Sequence, residues 1–410
     1  MDTGNTAWVL ASSALVLLMT PGLALFYGGL ARTKNAAATI MHSFMTIGLV
    51  SVVWVLWGYS LAFGPDLGGF IGNLKWAFLN NVSATEAGPY SATVPHQAYM
   101  IFQAMFAIIT PALITGAFAE RMKFSTFIIF IVLWVTLVYA PVAHWVWAFG
   151  ADGTPSGWLG KLGALDFAGG TVVHINSGVA ALAAALIFGR RLGFQREPME
   201  PHNVPLVVLG AALLWFGWFG FNAGSAVAAN GTAVNAFVVT NTATAMALIA
   251  WVAMSWIFGK KPSVIGAASG AVAGLVAITP ASGFVGPMPA ILIGLGSGVF
   301  CYLAVQLVAK LHVDDSLAVF GVHGIGGTWG ALATGIFVGI GFGSLAEGVS
   351  RGEQIVNQLI AIGASWGWSF VVTALILLAL KFTIGLRVSE AEEQVGLDVS
   401  QHGEPAYRRE

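Results

Sequence analysis

The sequence predicts an all-α, polytopic membrane protein: eleven transmembrane helices on an inverted five-helix repeat, N-terminus outside and C-terminus inside. Three observations lead there. The 410 residues are 57% hydrophobic and only 9% charged, with a mean hydropathy of +0.82. A soluble domain carries roughly a quarter charged residues, so a water-soluble fold would lack the polar surface to stay dispersed. Apolar stretches of about 20 residues, enough to cross a bilayer, recur along the whole chain. Finally, one pattern of acid, histidine and glycine occurs twice: Asp166-Phe-Ala-Gly-Gly-Thr-Val-Val-His174-Ile-Asn-Ser-Gly178, and Asp315-Ser-Leu-Ala-Val-Phe-Gly-Val-His323-Gly-Ile-Gly-Gly327.

In chain order the stretches are 6–30, 37–63, 95–119, 125–149, 168–189, 203–223, 233–258, 264–281, 288–310, 317–341 and 356–384. The first follows Met1-Asp-Thr-Gly-Asn, with no basic region and no small-residue cleavage site, and is expected to remain as a span. The second lies beyond Arg32 and Lys34, and the third closes on Phe118-Ala-Glu-Arg121. The fourth ends near Trp147, a position suited to an interfacial aromatic belt. The fifth and tenth carry His174 and His323. The sixth runs into Trp218-Phe-Gly-Phe-Asn-Ala-Gly-Ser225, and the seventh stops at Lys260-Lys261. Gly266-x-x-x-Gly270-x-x-x-Gly274, Gly294-x-x-x-Gly298 and Gly220-x-x-x-Gly224 are small-residue stripes that let helix backbones touch. Residues 1–384 are expected to form one transmembrane domain, its repeat covering about 1–190 and 203–341, with 356–384 as an added helix. Residues 385–410, acidic, basic and polar, read as a cytoplasmic tail.

Orientation follows from Lys and Arg, which accumulate on the inner side. With the N-terminus outside, only Lys75, Lys161 and Arg351 of the 17 Lys and Arg residues fall on the outer side. The inner side receives Arg32, Lys34, Arg121, Lys123, Arg190, Arg191, Arg196, Lys260, Lys261, Lys310, Lys381, Arg387, Arg408 and Arg409. An even number of spans would scramble this bias. Asp166 and His174 then enter the membrane from outside, and Asp315 and His323 from inside. Equivalent positions are five spans apart, so the halves are inverted, a plan that places binding sites near the midplane.

A net charge of −1 makes nucleic acid an unsuitable partner. The single cysteine, Cys301, excludes an internal disulfide and a cysteine metal cluster. An ionisable side chain within a span is expensive, so a functional role is the default for His174 and His323. Neutral imidazole has one donor and one acceptor nitrogen; two facing rings can share a hydrogen bond and keep their outer nitrogens for a polar solute or a proton. Without carboxylate or thiolate ligands the pair makes a poor metal site, and no metal or cofactor is expected. Asp166, followed by Gly169-Gly170, suits a helix N-terminus, where backbone N–H groups and the dipole stabilise it; it can also favour a cation above the pore. Phe102 and Phe106 share a helix face, as do Phe221 and Ser225. No His-Glu-x-x-His motif or serine nucleophile pairing appears, so the chain is not read as an enzyme.

The stretch Asp166-Phe-Ala-Gly-Gly-Thr-Val-Val-His-Ile-Asn closely resembles the signature of the ammonium transporter (Amt/Mep/Rh) family, of bacterial or archaeal Amt type. So do Phe118-Ala-Glu-Arg121, Trp218-Phe-Gly-Phe-Asn-Ala-Gly-Ser225, Phe320-Gly-Val-His-Gly and the tail Gly385-Leu-Arg-Val…Gly396-Leu-Asp-Val-Ser-Gln-His-Gly403. The resemblance covers essentially the whole chain. It implies a homotrimer in the plasma membrane, one pore per subunit, moving ammonium or ammonia. It assigns Trp147, Ser225, Phe106, Phe102 and Asp166 to an outer cation-recruiting site, and Phe106 and Phe221 to a stacked gate. His174 and His323 become the twin histidines of the pore, with Trp218 lining it below the gate. The tail resembles a segment that packs on the cytoplasmic face and couples to PII signal proteins. One departure is visible: family members often carry an acid five residues before the second histidine, and here that place is Ala318.

Overall fold

The computed structural model describes residues 1–150 and 152–407. Arg408 and Arg409, two of the cations assigned to the inner side, lie outside the described residues. Helices occupy all eleven apolar stretches: α1 Thr3–Leu30, α2 Thr33–Phe63, α3 His96–Ala117, α4 Phe124–Trp147, α5 Gly170–Phe188, α6 Val204–Gly224, α7 Gly231–Gly259, α8 Val264–Ile278, α9 Pro287–Lys310, α10 320–337 and α11 Arg351–Thr383. Among the described residues, nine are long and apolar enough to cross a membrane. The shorter α8 and α10 are packed among them.

The boundaries have local causes. Asp2 caps α1 by accepting from Asn5 N at 2.7 Å. A capping box of Ser350 and Glu353 starts α11 at Arg351, ahead of the expected 356. Helix α8 ends at Ile278, short of the expected 281, because the chain turns at Thr279 and Pro280. At the far end of α10, Arg351 donates to the carbonyls of Ile336 (2.7 Å) and Val338 (2.9 Å), a cation on otherwise unpaired C-terminal acceptors. The Gly266–Gly274 and Gly294–Gly298 stripes pack on α7, and the Gly220–Gly224 stripe packs on Leu15 and Ser12 of α1. A Cβ at Gly274 would lie 2.7 Å from Ala247 Cβ, and one at Gly294 would lie 2.3 Å from Ala243 O.

Helices α5 and α10 set the geometry of the centre. A Cβ at Gly178 would fall 2.1 Å from Gly324 N and 2.8 Å from the His323 carbonyl carbon. A Cβ at Gly327 would fall 2.9 Å from Ile175 N and 3.0 Å from His174 Cβ. Each glycine stands four residues after its histidine and touches the histidine turn of the other helix. Residue 174 meets 327 while 178 meets 324, so the helices cross antiparallel. Both make a π-helical turn at the histidine, Gly170–Ile175 and Phe320–Gly324, a widening common at functional sites. Both open on the acid of the repeated pattern, since Asp315 accepts from Val319 N (3.1 Å) and Phe320 N (2.8 Å).

Four of the cations assigned to the inner side, Arg32, Arg121, Arg191 and Arg387, converge at one end of the bundle. Arg32 donates through Nε to Glu120 at 2.6 Å, and Arg191 pairs with Asp314 at 2.9 Å and with Glu120 at 3.5 Å. Arg121 donates to Asp314 O at 2.8 Å. These contacts join the loops after α1, α3, α5 and α9. The tail folds over the same end as two short helices, α12 Glu390–Val395 and α13 Leu397–His402. Asp398 accepts from Ala37 N and Ala38 N at the start of α2, and Arg387 pairs with Glu393 at 2.6 Å.

The antiparallel crossing predicts that Gly178→Ala is destabilising at the upper end of overpacking, about 3 kcal/mol, because backbone blocks the methyl; a lowered unfolding temperature in detergent would register it. The ion-pair network at the tail end predicts acid lability. Burial alone would raise the Glu120 carboxyl, but Arg191 and then Arg32 outweigh it and hold it below the usual carboxylate range. The stabilisation is therefore complete above an ordinary carboxylate pKa of about 4 and fades as pH falls through the lowered folded value. The unfolding-temperature gap between wild type and Glu120→Gln should be constant near neutrality and close at acid pH.

Candidate functional site

The site is a row of rings in the middle of the bundle. Asp166 begins it at the end opposite the tail. Its Oδ1 accepts from Gly169 N (2.8 Å) and Gly170 N (2.6 Å), and its Oδ2 from Thr171 N (2.8 Å) and Val172 N (3.1 Å), with the Thr171 hydroxyl added. Gly169, at φ 124°, lets the chain double back over its own carboxylate. The carboxylate thus takes up the unpaired donors of a helix start. The backbone of Asp166 does a second job: its carbonyl accepts the Trp147 indole N–H at 2.8 Å.

From Trp147 the row runs inward. Trp147 and Phe106 meet edge-on at 5.9 Å between centroids, with Phe102 packed on Phe106 at 4.9 Å. Phe106 and Phe221 pack with ring centroids 4.4 Å apart, and both are buried. Phe221 lies 5.9 Å from His174, nearly parallel, and Trp218 stacks on His174 at 5.2 Å. His174 and His323 face each other with Nδ1 atoms 3.3 Å apart, a long hydrogen bond in which one ring donates and the other accepts. His174 Nε2 has no hydrogen-bond partner among the described residues. Beyond His323 a cavity of about 550 Å³ begins, lined by Tyr27, Arg191, Asp314, Asp315, Ser316 and Ala318 among others.

Ser225 sits at the end of α6, one turn after Phe221. Its hydroxyl donates to the Phe221 carbonyl at 2.8 Å, so its oxygen offers lone pairs only. Every residue assigned from the sequence to the recruiting site, gate and pore is therefore brought into one region. The other span histidines go elsewhere. His42 packs on Phe127 at 4.5 Å, and His144 bonds to Ala62 O and Asp66, both at 2.9 Å. Ala318, at φ 58°, lines the cavity without a charge. The carboxylates at that mouth are Asp314 and Asp315. At Asp314, burial opposes ionisation, but the bonded Arg191 prevails and keeps the carboxyl below its ordinary pKa.

Sequence reasoning missed Thr279, which accepts the Trp218 indole N–H at 2.9 Å. The available signal was general: a buried indole N–H seeks an acceptor, but nothing in the spacing points 61 residues downstream.

An all-α bundle of membrane-crossing helices packed around a buried row of aromatic and imidazole rings fits a membrane transport protein. A model of the Ammonium Transporter Family matches residues 7–407. The ammonium transporter of Bacillus subtilis is 50% identical over 412 residues, covering 100% of this chain and 99% of that one. Ammonium transporter Amt1 of Archaeoglobus fulgidus is 49% identical over 410 residues, covering 99% and 100%. Among solved structures, a Sensor Amt Protein superposes with a TM-score of 0.90 at 33% identity, over 97% of this chain and 98% of its own. Saccharomyces cerevisiae Mep2 gives 0.86 at 37% identity, over 95% and 91%. The chain belongs to the ammonium transporter family, whose members are multi-pass membrane transport proteins and not enzymes.

The Asp166 cradle predicts that Asp166→Asn costs about 1.5–3 kcal/mol, the value of hydrogen bonds to a charged acceptor. The amide NH2 would face the donors Thr171 N and Val172 N. Thermal unfolding in detergent measures the loss, and unchanged stability would remove the cradle's structural role.

Proposed function

We propose that the chain carries ammonium across the plasma membrane by binding the cation outside, removing its proton and passing ammonia through the row of rings. The row Trp147, Phe106, Phe221, His174, His323, ending on the inner cavity, carries this reading.

Ammonium and potassium are similar in size, so a sieve would confuse them. A desolvated cation over an aromatic face gains about 2 kcal/mol, and both ions can collect it. Only ammonium can also donate to Ser225. Taking an intact monovalent cation into an apolar passage has an idealised cost of order 20 kcal/mol. Ammonium escapes most of that by shedding a proton, and potassium cannot. Deprotonation falls between the recruiting residues Trp147, Ser225, Phe102 and Phe106 and the gate of Phe106 and Phe221, near Asp166. Ammonia then meets the histidine pair beside Trp218, where a donor and an acceptor are both within reach. An apolar constriction also blocks hydrated ions. The proton follows along water and the imidazoles, so net transport moves charge.

The wider arrangement belongs to the same proposal. Eleven spans in two inverted halves, with the N-terminus outside, put the Trp147 end outside and the tail inside. Residues 1–384 act as the transport domain and 385–410 as its cytoplasmic regulatory tail. Subunits assemble as a homotrimer, and the docked tail offers a PII-type signal protein a folded inner surface. A sensing role alongside transport draws on that tail and on the likeness to a solved Sensor Amt Protein.

Ammonium-evoked current in liposomes, with potassium as control, tests the reading; a folded protein that passes no current would leave sensing in its place. His174→Ala and His323→Ala should each weaken selectivity for ammonium over potassium, and unchanged selectivity in both would count against a proton-handling pair.

A further inference from the structure

Helix α11 lies outside both halves of the repeat, yet its inward face is polar. Gln354, Gln358, Ser365, Ser369 and Thr373 are all buried. Polar side chains inside a membrane helix are costly and mark function by default. Thr373 and Ser369 make single cross-links: Thr373 accepts from the Trp134 indole at 2.9 Å, and Ser369 donates to Asn176. Gln358 is different.

Gln358 is 0% exposed and uses its whole amide. Its Oε1 accepts from Leu165 N at 2.7 Å and from Gln354 Nε2 at 3.3 Å. Its Nε2 donates to Leu165 O at 2.8 Å and to Ala331 O of α10 at 2.9 Å. Room for it comes from Gly335, where a Cβ would lie 2.9 Å from Gln358 Cγ. Binding both the N–H and the C=O of one residue fixes that residue's direction, as a β-ladder partner does. The residue so held is Leu165, immediately before Asp166. On the other side of Asp166, Phe167 N donates to Pro280 O at 3.1 Å. Asp166 is thus suspended between two anchors while its carbonyl holds the Trp147 indole at 2.8 Å. Of the two anchors, Gln358 is the one made by a side chain.

We infer that Gln358 is a positioning residue for the outer end of the pore: by clamping Leu165 it sets Asp166, and through Asp166 the plane of Trp147 over Phe106. This rests on the transport reading above, in which Trp147 meets the cation and deprotonation falls near Asp166. A site of this kind depends on neighbours that lock its members in place. Loosening the clamp weakens recruitment before it affects passage through the histidine region.

The test uses the full chain, reconstituted in liposomes, comparing wild type with Gln358→Leu, Gln358→Glu and Thr373→Val. Gln358→Leu should raise the half-saturating ammonium concentration roughly tenfold, below the ~100-fold that a 1 Å misplacement can cost, while maximal current falls less. Thr373→Val should lower the unfolding temperature without moving half-saturation. In Gln358→Glu the ionised carboxylate still accepts from Leu165 N but repels the carbonyls of Leu165 and Ala331. On acidification the neutral carboxyl regains one donor, so half-saturation, taken as a ratio to wild type at each pH, should move back toward wild type.

A folded Gln358→Leu with wild-type half-saturation overturns the inference. If that variant does not fold, a Gln358→Glu ratio that ignores pH overturns it. Transport itself is read separately, in the wild-type current. Amide exchange over 165–172, followed by mass spectrometry, tests the clamp without any flux: faster exchange in Gln358→Leu than in Thr373→Val is expected, and equal exchange overturns the positioning role.

Discussion

The constraint on which the rest depends is the backbone contact between α5 and α10. Two imidazoles reach 3.3 Å in the middle of a bundle only if their helices can nearly touch. Gly178 and Gly327 permit it, each standing against the other helix's histidine turn. With no hydrophobic force between helices in lipid, close approach of small residues supplies the van der Waals contact that holds them. The same contact fixes the antiparallel sense, so the acids heading the two segments come to opposite ends. The π-helical turn at each histidine belongs to the same device, since it shifts the ring register without breaking the helix.

The two ends differ in how their charge is disposed. At the Trp147 end, Asp166 is saturated by the backbone donors of its own helix start. At the tail end, Asp314 and Glu120 are tied to arginines from other loops. Between them the row of rings carries no formal charge when the imidazoles are neutral. Leaving any of these three carboxylates unpaired would cost several kcal/mol; each is instead used to fasten the frame. The Phe118-Ala-Glu-Arg121 motif gains its physical meaning here. Glu120 and Arg121 bind loops from both halves, and Phe118 stacks on Phe188 at the end of α5.

What could be read from the sequence was whatever repeats locally. Apolar run lengths placed the helices to within a few residues, and the identical spacing of Asp166–His174 and Asp315–His323 pointed to a shared site. Positions one helical turn apart placed Phe102 with Phe106, and Phe221 with Ser225. Pairings across the bundle stayed hidden, because no periodicity links Gln358 to Leu165 or Trp218 to Thr279. Helix α11 illustrates the limit. Its sequence reads as an added apolar span, and only contacts between distant segments reveal that its glutamines hold the linker before Asp166. Gly335, which makes room for Gln358, looks like any small residue of a membrane helix until that neighbour is known.

In the proposed function, discrimination rests on which groups still have something to offer. Ser225 has given its proton to the Phe221 carbonyl and can only accept. Trp147 has given its N–H to Asp166 and presents a ring face. In the proposed function, a lone pair and a π face together suit a cation that carries its own N–H groups and give a bare alkali ion only part of the benefit. Past Phe106 and Phe221 the requirement changes, because the imidazole pair is both donor and acceptor in a dry setting. Neutral ammonia fits it by donating and accepting at once. Selectivity in the proposed function resides in two successive demands, hydrogen-bond donation at the recruiting residues and proton loss before the Phe106–Phe221 pair, and potassium fails each for a different physical reason.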